Sequence, residues 1–96
     1  MIITRHAEER GKERVGLSKS AIKRLAFLAL ERGVTHADTT GKLKRLFDSL
    51  YFRNKEANNI RIYAEKIFIF SDQTLITILP LSNEYKGLAA KVLAKK

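Results

Sequence analysis

The spacing of hydrophobic residues changes near the middle of the chain. Up to residue 53, apolar residues recur every three to four positions, which is the spacing of amphipathic helices. From residue 60 to residue 79 they alternate with polar residues or form short runs, as strands do. The segment 83–96 returns to helical spacing. The pattern therefore predicts helices, then strands, then one short C-terminal helix.

Two helices are predicted in the first third of the chain. The first covers about residues 5–14, is capped by Thr4 and is weakened by Gly11. The second is KSAIKRLAFLALER, capped by Ser18. Phe27 widens the apolar stripe of this second helix, which is therefore expected to be the most buried helix.

A third helix and a sheet are predicted to follow. The loop VTHADTT offers Asp38 or Thr39 as the cap of the helix GKLKRLFDSLYFR. The segments IRIYA, IFIF and TLITIL are separated by short turns, which predicts an antiparallel meander with IFIF in the centre. Residues 1–3 or Val34 would add a fourth strand. The predicted class is α+β, with N-terminal helices packed on a small antiparallel sheet of three to four strands.

Size and composition restrict the classes of protein to consider. Ninety-six residues predict one domain, because two hydrophobic cores need a longer chain. The chain has no cysteine and only two histidines, so we expect no disulfide, metal or cofactor. No apolar run approaches the roughly 18 residues of a membrane span, and no signal-peptide pattern opens the sequence. A cytoplasmic location without a membrane partner is therefore expected.

The net charge of +9 is unevenly distributed. Segments 17–33 and 82–96 each carry +3, whereas the strand segment 59–81 is neutral. Lysines and arginines that neutralise phosphates release condensed counterions, so a basic surface favours polyanions. The charge therefore predicts a nucleic-acid partner.

One helical row of side chains suits RNA chemistry. In ITRHAEERGKERVG, the residues His6, Arg10 and Arg14 lie four positions apart, on one side of the first helix. Histidine exchanges protons near neutral pH, and arginine binds phosphate through a bidentate fork. The alternative interpretation is a solvated helix whose charges form ion pairs one turn apart.

The predicted strands carry a second polar group. Arg61 and Tyr63 lie on the first strand of the meander, and Thr74 and Thr77 on the third. On one face, these side chains would form a floor that holds phosphate or stacks a base. Alternatively, Tyr and Thr are ordinary strand residues and Arg61 is a surface residue. His36 is expected to be a loop residue.

The stretch ITRHAEERGKERVGLS, then ALERG, a strand pair and LITILP, resembles a known group of proteins. These are the small phage and mobile-element members of the barnase–EndoU–colicin–RelE group of ribonuclease-like folds. The resemblance implies helices on a curved antiparallel sheet, RNA on its open face, and a toxin-like, metal-independent endoribonuclease. A cognate inhibitor protein would be a further partner. The implied catalytic residues are His6, Arg10, Arg14 and Thr77.

Nucleic-acid contacts are expected beyond those four residues, with RNA favoured over DNA. The residues expected to make them are Arg5, Lys42, Arg45, Arg61 and Tyr63.

The sequence is also compatible with two other functions. A DNA-binding regulator would use the helix 39–53 in a helix-turn-helix, although Thr39 and Lys42 occupy positions where that motif needs apolar residues. A non-catalytic protein-binding module would dock through Tyr51 and Phe52, or through an unpaired edge strand.

Overall fold

The computed structural model describes the whole chain, Met1–Lys96, as four helices and a four-stranded sheet. The elements are β1 (Ile2–Ile3), α1 (Arg5–Val15), α2 (Lys19–Arg32), α3 (Gly41–Arg53), β2 (Asn59–Tyr63), β3 (Lys66–Ser71), β4 (Thr74–Pro80) and α4 (Asn83–Ala94). A short 3-10 turn, His36–Asp38, lies between α2 and α3. The predicted α+β class and the predicted order of elements are confirmed. No helix has the combination of length and apolar composition that a membrane span requires.

The strands lie in the order β1-β4-β3-β2. The three predicted strands form an antiparallel meander, but β1 pairs with β4 in parallel, through Ile2 with Thr74 and Ile3 with Leu75. The sheet is therefore mixed, and the prediction of a purely antiparallel sheet is wrong at this edge. At the opposite edge, Val34 exchanges two backbone hydrogen bonds with Ile62, of 2.8 and 3.0 Å.

Helices cover both faces of the sheet. Along β3, Ile67 and Ile69 pack with the core formed by α3 and α4, whereas Phe68 and Phe70 pack with the core formed by α1 and α2. A strand that is apolar on both sides must be covered on both sides. The open sheet face that the ribonuclease resemblance implies is therefore absent.

Capping residues determine where the helices begin. The Thr4 hydroxyl accepts a hydrogen bond from the Ala7 N–H (3.1 Å) and donates to the Leu75 carbonyl (3.1 Å), which ties α1 to β4. The Ser18 hydroxyl caps α2 in the same way at Ala21, so both predicted caps are confirmed. The start of α3 differs from the prediction. Its N-cap is Thr40, because the preceding residues form the 3-10 turn.

Candidate nucleic-acid interface

The row His6, Arg10 and Arg14 lies on the surface of α1. His6 and Arg14 are exposed, and Arg10 is partly exposed. None of the three makes an ion pair or a side-chain hydrogen bond, and none lines a cleft of the molecule. The small residues Ala7 and Gly11 make the buried side of α1. The predicted row is thus present as a helical feature, without a pocket around it.

Thr77 lies away from this row, on the other side of the sheet. It pairs with Ile69, so its side chain faces α3 and α4, while α1 packs against the opposite face. The Thr77 hydroxyl is buried and has no hydrogen-bond partner. The four residues to which the resemblance gives catalytic roles are therefore not brought together.

Arg61 and Tyr63 do not form a floor that is open to a ligand. Arg61 faces the α1–α2 side, and its guanidinium donates to Asn59 Oδ1 (2.8 Å) and to the carbonyl of Leu30 (3.0 Å). It thus binds a terminal carbonyl of α2, a favourable place for a cation. Tyr63 is partly buried against the same core. The expectation of a polar floor is wrong because α2 lies over this part of β2.

The remaining expected contacts are dispersed. Arg5 lines a shallow cleft with mixed charges, next to Glu8 and Glu9. Lys42 pairs with Glu84 (3.7 Å), and its ammonium lies 5.2 Å from the centre of the Tyr85 ring. Arg45 is exposed on α3.

The helix-turn-helix arrangement is not formed. Ile22 and Ala26 of α2 belong to one core, whereas Leu43 and Phe47 of α3 belong to the core on the other side of the sheet. In a helix-turn-helix, the two helices pack directly against each other. The sheet separates them here.

His36 is held in place by α3 and belongs to the 3-10 turn. Its Nε2 lies 2.6 Å from Asp48 Oδ1, and its ring makes edge contacts with Phe47 and Tyr51. The Tyr51 hydroxyl in turn accepts a hydrogen bond from the backbone N–H of Ile60 (2.8 Å). These contacts join the α2–α3 connection to α3 and β2, which is a structural role.

The structure adds a group of residues that sequence reasoning did not select. Phe27 is 54% exposed and lines an open groove of about 850 Å³ together with Lys23 and Arg24. We call this feature the α2 groove; its other lining residues are Met1, Ser20 and Leu28. At about 100° per residue, Phe27 is turned about 140° from the buried Ile22, so the expectation that Phe27 belongs to the buried stripe of α2 is wrong.

The charges of the α2 groove have no partner within the protein. Lys23 and Arg24 lie in the second turn of α2 and have no carboxylate oxygen within 4.0 Å. Both cations are therefore available to an external anion.

Unpaired arginines are a property of the whole surface. None of the eight arginines forms an ion pair; the carboxylate ion pairs involve only lysines and His36. The Arg61 guanidinium donates to Asn59 and Leu30, but the other seven arginines have no internal partner and are available to an external anion, whose phosphate geometry they match. Comparison of the chain with protein-family models, curated proteins and solved structures finds no match. The ribonuclease resemblance therefore stays a prediction.

Proposed function

We propose that this protein binds single-stranded nucleic acid through the α2 groove, with RNA as the expected partner. The observation that carries the proposal is the exposed ring of Phe27 beside two cations that have no internal counter-ion, Lys23 and Arg24. The net charge of +9 adds a long-range attraction for any polyanion.

The groove combines the two contacts that single strands need. Base stacking on an aromatic ring contributes about 1–3 kcal/mol per base, and lysine or arginine neutralises the phosphates on either side. Met1 and Leu28 extend the apolar surface next to the Phe27 ring. A duplex keeps its bases stacked inside, so an exposed aromatic ring favours a single strand.

The proposal is limited to binding. Proton transfer in RNA cleavage needs an acid–base group within hydrogen-bond reach of the reacting atoms, with cations on the same phosphate. His6 lies outside the α2 groove, and the Thr77 hydroxyl is buried on the other side of the sheet. No contact in the structure favours cleavage as a second function.

The first test is Phe27→Ala, measured as fluorescence anisotropy of a labelled 12-nucleotide RNA. We expect Kd to rise about 5- to 150-fold, which corresponds to the loss of one stacked base. Phe52→Ala is the matched control, because Phe52 is 75% exposed on α3 but lines no cleft; its Kd should stay within twofold. An equal rise in Kd for both variants would show that the α2 groove is not part of the interface.

The salt dependence gives a second readout from the same assay. Each phosphate contact to a single strand adds about 0.7 to the slope of log Kd against log salt. Lys23→Ala/Arg24→Ala should therefore lower the slope by about 1.4. An unchanged slope would contradict the proposal, and DNA of the same sequence tests the preference for RNA.

A further inference from the structure

A second cleft lies between the start of α3 and the end of α4, on the face of the sheet opposite the α2 groove. Its volume is about 460 Å³, within the usual range for small-molecule sites. We call it the α3–α4 cleft; its principal lining residues are Thr40, Leu43, Leu88, Lys91, Val92 and Lys95.

The charged side chains of this cleft that form no ion pair are both cations. Asp38 and Lys96 also line it, but they neutralise each other in an ion pair of 2.8 Å. Lys91 and Lys95 have no carboxylate oxygen within 4.0 Å. They lie one helical turn apart, so both ammonium groups can reach the same anion.

The floor of the cleft is apolar. Leu43 is buried at its base, Val92 is partly buried, and Leu88 is 38% exposed. An inorganic anion would make no contact with this apolar surface. A wholly apolar ligand would make no ionic contact with Lys91 and Lys95. The lining therefore fits a ligand that carries both an anionic group and an apolar part.

The start of α3 borders the cleft through Thr40, which makes no capping hydrogen bond. The nearby Lys42 is already paired with Glu84 (3.7 Å). A helix start selects no ligand by itself, so the anion is assigned to Lys91 and Lys95.

We propose that the α3–α4 cleft binds a mononucleotide. The phosphate lies between the ammonium groups of Lys91 and Lys95, and the base lies on Leu43, Leu88 and Val92. This site is separate from the α2 groove and does not depend on nucleic-acid binding there.

The test titrates the full chain separately with adenosine monophosphate, adenosine and inorganic phosphate. NMR spectra of the protein monitor the binding of each. We expect saturable binding of adenosine monophosphate that shifts the methyl signals of Leu88 and Val92. Lys91→Ala/Lys95→Ala should weaken it at least tenfold. The control Lys55→Ala/Lys86→Ala removes the same charge from positions outside the cleft, and its Kd should stay within twofold.

Three results would overturn the proposal. Equal weakening by the two double substitutions would mean general attraction to a basic protein. If inorganic phosphate or adenosine bound as tightly as the nucleotide, the cleft would not bind the phosphate and the base together. A loss of RNA affinity in Lys91→Ala/Lys95→Ala without any nucleotide binding would assign the cleft to the RNA surface. Phe27→Ala should leave nucleotide binding unchanged, so failure of the α2 groove and failure of this cleft are distinguishable.

Discussion

Thr77 carries a hydroxyl group that is buried in the sheet without a hydrogen-bond partner. Thr39 is also buried, but its hydroxyl donates to the His36 carbonyl at 2.7 Å. A buried polar group without a partner costs about 1–3 kcal/mol, whereas a satisfied one is close to neutral or favourable. At the residue scale, the hydrogen-bond partner decides the effect of a polar side chain.

We expect Thr77→Val to raise the free energy of unfolding by about 1–2 kcal/mol, because valine keeps the shape and removes the unpaired hydroxyl. Thr39→Val should lower it by about 1 kcal/mol, since it removes a hydrogen bond that is made. Urea denaturation of both variants measures the difference. A destabilised Thr77→Val variant would show that the hydroxyl has a partner in solution.

At the scale of elements, the approach of α1 to the rest of the molecule depends on Gly11. A Cβ atom at this position would lie 2.5 Å from Ile22 Cδ1 and 3.3 Å from Ile78 Cδ1. The sequence pattern presents Gly11 only as a weak point of α1, which is correct for an isolated helix. In the folded chain it allows α1 to pack closely against α2 and β4, whereas a Cβ at Gly87 in α4 would meet no atom within 4 Å.

Alanine substitutions at Gly11 and Gly87 are expected to change the stability of the protein in opposite directions. Gly11→Ala should destabilise the protein by about 1–2 kcal/mol, because overpacking of the core outweighs the gain in helix propensity. Gly87→Ala should stabilise it by about 0.5–1 kcal/mol. Thermal unfolding followed by circular dichroism compares them, and a stabilised Gly11→Ala variant would mean that α1 packs less closely than described.

At the scale of the whole molecule, one cluster joins segments that are far apart in the chain. The Lys96 ammonium donates to the Gly33 carbonyl (2.9 Å) and to Asp38 Oδ2 (2.8 Å). The hydrogen bond from Lys96, followed by that from the Thr35 N–H, lowers the pKa of Asp38 from 3.8 to about 2. The cluster holds the residues after α4 against the α2–α3 connection.

This cluster makes stability depend on pH. Because the pKa of Asp38 is lower in the folded state, its contribution is complete above about pH 4 and is lost as the pH falls towards 2. Asp38→Asn should cost about 1 kcal/mol at neutral pH, allowing for solvent screening of a partly exposed pair. Urea denaturation at pH 7, 3 and 2 should show this difference shrinking. A difference that is the same at pH 7 and pH 2 would contradict the assignment.

Local signals in the sequence were sufficient to predict the helices and the three strands of the meander. Thr4 and Ser18 cap helices, and the change in hydrophobic period separates α3 from β2, because caps and periodicity act between residues close in the chain. The candidate site was less predictable. The row His6, Arg10 and Arg14 is a property of one helix and was found, but its surroundings depend on other segments.

The sequence by itself determined the four helices and the three strands of the meander, the caps of α1 and α2, and the excess of positive charge. Only the tertiary structure decided that β1 pairs in parallel, that α2 and α3 lie on opposite faces, and that Arg61 binds the end of α2. It also decided that Phe27 lies in an open groove. The physical reason is that a local pattern shows which side of an element is apolar. What covers that side, and in which register, is set by segments distant in the chain.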